Sequence, residues 1–582
     1  MHDHHNFHEE LTPGYDPKVF KRLLTYARPY SGMLFLSLLL ILIVTSIQLA
    51  QPYILKIAID DYILGPGTPR GLQRLGIYFL FIYALGMVLN YLQFIILMQT
   101  GQRIIHNIRM ELFSHLQKLP IQFFDKNPVG RVVTKVTNDA ETLNEMYTSF
   151  LVNFIKDLFM LTGIVIIMLR LHTTLALISF SIIPLVIAAI TIYRKKARQA
   201  FRELRKQLSR INSFFAENIA GIRVIQVFNQ ERQRLNLFNE INDSHFLAGL
   251  KELKLFAVFR PIMDLFRSLA LALLLWYGSG SVLTGVIPFG VLYAFITYLD
   301  QFFRPLNDMS DKYSILQAAM ASAERIFDLM DEKQEYSNIQ AKPLTTIQGS
   351  IDFDNVWFSY HNEDWVLKNV NFHIAPGEKI AVVGPTGAGK SSLINLINRF
   401  YNTTKGEIKI DGQDINKIIL QDLRKQIGVI HQDVFLFSGT VKENITLNSI
   451  PLTDWELEKI AKSANAYEFI DRLPQKFDTP LGERGILLSS GQRQLLAFAR
   501  MLAFNPSIFI LDEATAHIDS YTEHLLQETL DHAAKGRTSI IIAHRLSTIK
   551  QADRIFLIRE GRLKEISSFE ELTSNLYSYF HE

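Results

Sequence analysis

Long apolar runs separated by basic and polar intervals fill the first half of the chain, and short β-rich runs alternating with helical stretches fill the second. The apolar stretches lie at about Met33–Leu55, Gly76–Met98, Thr148–Leu169, Thr174–Tyr193, Ile262–Leu283 and Phe289–Phe303. Several reach the roughly 20 residues a helix needs to cross hydrocarbon. The last is short on apolarity alone, but Pro288 is suited to start a helix that runs beyond the bilayer. Six transmembrane helices are expected.

Two connections between the apolar runs are long and basic. One carries Arg103, Arg109, Lys118, Lys126, Arg131 and Lys135, and the other opens with Arg194, Lys195, Lys196 and Arg198. The remaining connections, around Pro66, Leu171 and Thr284, are short and carry few charges. Cytoplasmic flanks accumulate Lys and Arg, so both termini are expected in the cytoplasm and the protein in the cell membrane as a multi-pass chain. The long loops keep apolar residues at helical spacing, as in Ile104, Ile108, Leu112 and Leu116, and so read as helices extending past the membrane. Breaks at Asp125–Gly130 and near Asn218–Gly221 are candidate contact points for a second domain.

From about Asp331 to Ile347 the chain turns polar, with Lys342-Pro343 inside, and strand-like alternation begins at Ile351. The expected organisation is a cytoplasmic tail and elbow helix over 1–30, a transmembrane domain over 31–330, a linker over 331–347 and an α/β domain with a substantial parallel sheet over 348–582. A length of 582 residues and 48% hydrophobic residues agree with two domains, one in lipid. A net charge of +3 offers no broad basic field for nucleic acid. The chain has no cysteine, which excludes disulfides, thiolate metal sites and cysteine nucleophiles. His2, His4, His5 and His8 crowd the polar start, read as a disordered terminus. The first apolar run begins well into the chain and is long enough to span, so it is expected to stay in the mature protein.

Gly384-Pro385-Thr386-Gly387-Ala388-Gly389-Lys390-Ser391 follows the apolar run Ile380–Val383 and matches the phosphate-binding loop pattern. Its glycines let backbone N–H groups close around phosphates, Lys390 meets the β and γ oxygens, and Ser391 can ligate magnesium. The helix from Ser392 onward aims its positive end at them. A second apolar run, Ile508–Leu511, ends in Asp512-Glu513. Asp512 is expected to hold magnesium through water, Glu513 to polarise the attacking water, and His544, after the run Ser539–Ala543, to contact the γ-phosphate.

The segment Leu488-Ser489-Ser490-Gly491-Gln492, followed by Arg493-Gln494, resembles the signature sequence of ABC ATPases. Six spans joined to one such domain resemble an ABC exporter half-transporter over the whole chain. The resemblance implies a membrane all-α six-helix domain of the type I exporter class plus an α/β P-loop nucleotide-binding domain. It also implies that Tyr360 stacks on adenine, that Gln432 senses magnesium and the transmembrane domain, that Glu483-Arg484-Gly485 is the exporter X-loop, and that Asp519 is the D-loop aspartate. ATP and Mg2+ are the implied cofactors, with Ser391, Gln432 and Asp512 around the metal. Two such domains are expected to sandwich ATP, each phosphate loop facing the partner's Ser489, Ser490, Gly491 and Gln492.

The family's signature has two adjacent glycines where this chain has Ser490 before Gly491, and Leu495 stands where Arg is common. The phosphate loop, Glu513 and His544 are intact. This pattern resembles the catalytically competent subunit of heterodimeric bacterial multidrug exporters, whose partner chain has a weakened catalytic carboxylate. A homodimer that tolerates serine is the alternative. The resemblance implies hydrophobic or cationic small-molecule substrates, and a lipid or lipid-linked flippase would share every motif. Lys156, Asp157, Asp264 and Arg267 in the spans, with Phe154, Phe159, Trp276 and Tyr293, are candidate substrate contacts. No peptidase segment precedes the spans, so a peptide-processing exporter is not expected.

Overall fold

The protein is described by a computed structural model covering residues 16–335, 341–344, 347–361, 364–512, 520–543, 546–566, 569 and 571. The chain divides into two compact units: one runs to Gln117 and resumes over Val129–Glu332, the other takes Lys118–Pro128 and the chain from Lys333.

The first unit is helical. Its long helices are Ser31–Ile57, Pro69–Leu116, Leu151–Leu171, Ile183–Ala220, Glu231–Leu283 and Phe289–Asp331, with Thr173–Phe180 leading into the fourth. Local chemistry sets their starts. The Thr68 hydroxyl accepts from Gly71 N at 3.2 Å ahead of Pro69, and Pro288 precedes the last helix. The helix of 48 residues from Pro69 is about 70 Å long, so it extends well past a hydrocarbon layer of about 30 Å. Among the described residues, four helical stretches are long and apolar enough to cross a membrane: Pro17–Ile63, Pro69–Leu116, Val129–Leu171 and Thr173–Ala220. The helices Glu231–Leu283 and Phe289–Asp331 carry the other two apolar runs, interrupted by Asp264, Arg267 and Asp300. The six apolar runs of the sequence fall on helices, the fourth broken by a turn at Ser181 and Ile182.

The unit's interior gathers Met168, Leu175, Ala270, Leu274, Phe295 and Tyr298, and the Tyr298 hydroxyl donates to Leu49 O at 2.7 Å. Its exterior keeps large apolar side chains in the open, among them Phe35, Ile77, Leu80 and Met87, the distribution of a protein whose solvent is lipid.

The second unit holds two sheets. Strands β1 (Ile351–Ser359), β2 (Trp365–Ile374), β4 (Lys405–Ile410) and β5 (Gln413–Asp414) form an antiparallel sheet in the order β2-β1-β4-β5. Strands β3 (Lys379–Val383), β6 (Ile427–Ile430), β7 (Ile508–Asp512), β8 (Thr538–Ile542), β9 (Arg554–Arg559) and β10 (Arg562–Ile566) form the other in the order β10-β9-β3-β8-β7-β6. Every pair there is parallel except the β9–β10 hairpin. Strands buried on both faces read as unbroken apolar runs, which is why β3, β7 and β8 stand out in the sequence, whereas β1 shows as the alternation that begins at Ile351.

Candidate nucleotide-binding site

Sheet order brings two chemical segments to one edge. Register pairs Val382 with Ile542 and Ile542 with Asp512, so Asp512 ends β7 level with the last residues of β3, two strands away. Neighbouring strands lie about 4.8 Å apart, which puts the two about 10 Å apart along the row. This is the carboxyl edge of a parallel sheet, where ligands of such folds bind.

The loop leaving β3 is built on backbone that side chains would obstruct. Gly384 has φ 156°, and a Cβ there would lie 2.2 Å from the carbonyl oxygen of Ile558 on β9. Gly389 has φ 105°, and its Cβ would press on Leu367 Cδ2 at 2.9 Å. Both positions therefore require glycine. Pro385 is half-buried, Thr386 and Gly387 face outward, and Ala388 is buried under the turn. The helix Lys390–Ile397 follows at once, with Ser391 exposed and Ser392 buried.

Lys390 is 7% exposed, and its ammonium donates to Gly384 O at 2.7 Å and Pro385 O at 2.9 Å. Burial lowers its pKa, and the Asp512 carboxylate opposes that shift. A desolvated cation resting on neutral carbonyls exchanges them favourably for an anion, because charge-assisted hydrogen bonds are stronger than neutral ones. The loop, the outward Ser391 hydroxyl and the nearby Asp512 carboxylate together suit a magnesium-bound phosphate group, with oxygen donors of the kind that ion selects.

Tyr360 follows β1, about one-third exposed; its hydroxyl lies 3.0 Å from Ser392 Oγ, and Asn395 Nδ2 donates to it at 3.3 Å. Its ring meets Phe358 and Tyr401 edge-on at 4.7 and 5.0 Å, leaving an open face. Gln432 lies exposed just beyond β6, the strand beside β7. Glu513, Asp519 and His544 fall outside the described residues, as do His2, His4, His5 and His8.

The signature segment occupies a separate place. Ser489 caps the helix Ser490–Phe504: its hydroxyl accepts from Gln492 N at 3.2 Å while Gln492 Oε1 accepts from Ser489 N at 2.9 Å. Ser490 is the first helical residue, half-buried, with a backbone outside the positive-φ set, and Gly491 is buried. This helix packs through Leu495, Leu496 and Phe498 into a core with Ile445 and Leu457, whereas the phosphate-loop helix packs Leu393 and Ile397 into the core of Phe353 and Ile410.

One contact falls on the break read from the sequence at Asp125–Gly130, although nothing in the sequence names its partner. The helix Ile121–Lys126 belongs to this unit: Asp125 accepts from the Tyr401 hydroxyl, and Lys118 O accepts from Glu335 N at 2.8 Å. Burial, and then Asp125, push the Tyr401 hydroxyl pKa up. The separation of 276 residues hides the pair from any periodicity.

An apolar multi-helix unit fused to a phosphate-loop unit defines an ATP-hydrolysing membrane transporter. The chain belongs to the ABC transporter family. Residues 34–306 match the ABC transporter transmembrane region and residues 367–516 the ABC transporter domain. The chain is 38% identical over 84% of its length to the Bacillus subtilis ABC transporter ATP-binding/permease protein YheH, named for multidrug resistance, covering 73% of that protein. It is 33% identical over 97% of its length to an ATP-dependent lipid A-core flippase of Syntrophus aciditrophicus, covering 93% of it. A solved bacterial Atm1-family ABC exporter with ATP bound superposes with a TM-score of 0.78 at 28% identity, over 97% of this chain and 98% of that one. The fold is therefore that of the type I exporters, with the nucleotide-binding domain C-terminal to the membrane helices.

Proposed function

We propose that the chain is one subunit of a heterodimeric exporter that drives amphipathic small molecules out across the bacterial cytoplasmic membrane, as in multidrug efflux. Its domain bounds are those read from the sequence, and both termini and the nucleotide-binding domain are cytoplasmic, as the basic loops imply. Tyr360 stacks on adenine. The backbone N–H groups of Gly384 and of Thr386–Ser392, beside Pro385, and the ammonium of Lys390 take the phosphates, with Lys390 leaving the carbonyls of Gly384 and Pro385 as they arrive. Ser391, Gln432 and, through water, Asp512 would hold magnesium, which would supply positive charge against the phosphates. Glu513 takes the proton of the attacking water and His544 orients the γ-phosphate. Ser489, Ser490, Gly491, Gln492 and Asp519 serve the partner's ATP across the dimer. The packing of the phosphate-loop helix and the signature helix into different core clusters supports that two-chain site.

The observation that carries the substrate reading is the pairing of charges within the spans. Asp157 meets Lys312 rather than its neighbour Lys156, and Arg267 donates to Asp300 at 2.9 Å with Asp264 at 4.0 Å. Paired charges brace helices, so recognition falls to apolar and aromatic surface such as Phe154, Phe159, Trp276 and Tyr293, all exposed. The lipid A-core flippase relative favours a second reading, a lipid or lipid-linked flippase. Vesicles carrying this chain alone, or with a neighbouring half-transporter, should separate the readings when tested for dye uptake and labelled-lipid flipping. Dye uptake only with the partner is expected. Full uptake by the chain alone contradicts the heterodimer, and flipping without dye uptake contradicts the efflux reading.

A further inference from the structure

The helix Pro17–Ala27 shows two unlike faces. Its inner face is fastened to the end of the Phe289–Asp331 helix. Arg22 Nη1 donates to Asp331 Oδ2 at 2.6 Å, the same guanidinium lies 4.4 Å from the Phe327 ring, Tyr26 stacks on Phe327 at 5.9 Å, and the Tyr26 hydroxyl reaches Met330 S at 3.5 Å. Leu23 is fully buried, and its carbonyl accepts from the Tyr147 hydroxyl at 2.7 Å. This face grips the last turn of the helix whose chain continues into the linker.

The outer face is cationic. Lys18, Lys21 and Arg28 are exposed, and the spacings of three and seven residues put them on one stripe with Leu24, itself 45% exposed. No acidic residue lies between Pro17 and Arg28; Asp16 is occupied as the N-cap, accepting from Lys18 N at 2.7 Å. Three residues past Arg28 the membrane helix starts at Ser31, and its exposed Phe35 and Leu39 follow. A basic, partly apolar stripe at the foot of a membrane helix is the pattern of an interfacial helix that meets acidic headgroups.

We propose that this stripe binds the anionic headgroups of the adjoining leaflet, and that the Arg22–Asp331 and Tyr26–Phe327 contacts pass that occupancy to the membrane helix leading into the nucleotide-binding domain, making ATP turnover depend on anionic lipid. Each cation at the surface contributes about a fivefold gain in apparent lipid affinity, so the three together amount to roughly a hundredfold.

The test uses the full transporter in nanodiscs of phosphatidylcholine with increasing phosphatidylglycerol. Three proteins are compared: the parent, the Lys18→Gln/Lys21→Gln/Arg28→Gln variant, and Arg22→Leu. Phosphatidylglycerol bound per transporter and phosphate release are both read. The parent should show release that climbs with the phosphatidylglycerol fraction. The triple variant should keep the parent's rate in pure phosphatidylcholine and need far more phosphatidylglycerol for the same rise, while Arg22→Leu should bind the lipid as the parent does without the rise. Identical lipid dependence in parent and triple variant overturns the binding surface, and an undiminished rise in Arg22→Leu overturns the transmission.

Discussion

In the nucleotide-binding unit Lys390 is buried on two neutral carbonyls, whereas in the membrane unit Arg325 is held by a carboxylate 186 residues away. Arg325 Nε donates to Asp139 Oδ2 at 3.0 Å, and Ser322 Oγ adds a bond to Oδ1 at 3.0 Å. The difference separates recognition from bracing. A cation satisfied by carbonyls is ready to trade them for phosphate, while a cation satisfied by a carboxylate has no reason to release it. The nucleotide-binding unit thus carries its chemistry in exchangeable contacts, and the membrane unit carries mechanical ties between helices.

The comparison breaks most sharply at Lys390. Lys390→Met should lower phosphate release by about 100-fold or more, the scale of losing a transition-state charge partner, with the membrane unit's unfolding unchanged. If release survives, the exchangeable cation is not the phosphate ligand. Next comes Gly384→Ala, whose methyl would meet Ile558 O at 2.2 Å. Because backbone, not a flexible side chain, must give way, about 3 kcal/mol of destabilisation is expected in denaturant unfolding of the nucleotide-binding unit. Arg325→Gln should destabilise the membrane unit by about 2 kcal/mol, less than a fully buried pair would lose because Arg325 is 30% exposed. Adding Asp139→Asn should recover part of that loss, since it removes the uncompensated carboxylate. The smallest effect belongs to Ser490→Gly. The backbone there needs no glycine, so stability should move within about 0.5 kcal/mol. ATPase measured with the partner should rise only slightly if Ser490 completes the slow site.

The same contrast explains what could be read in advance. Apolar runs marked the membrane helices because lipid demands about 20 apolar residues in a row, whatever the packing. The phosphate loop was legible because Gly384 and Gly389 are dictated by backbone geometry, which leaves its mark in consecutive residues. Asp157 was not legible. Its sequence neighbour Lys156 is the obvious partner, yet adjacent residues on a helix point about 100° apart, and the carboxylate finds Lys312 on another helix instead. The alternation that begins at Ile351 was legible and is β1, and the break at Asp125–Gly130 was legible as a contact point, but its partner Tyr401, 276 residues away, was hidden for the same reason as Lys312. Local chemistry is written locally, and ties between distant helices are not.

The most direct test is ATP hydrolysis and dye uptake by inside-out vesicles containing the assembled transporter with Glu513→Gln. Both activities should fall by about 100-fold or more while ATP binding persists, because a general base contributes about that much and the phosphate loop is untouched. Transport that continues at the parent's rate with Gln at this position would contradict the account, since hydrolysis at this chain's phosphate loop would then not drive export.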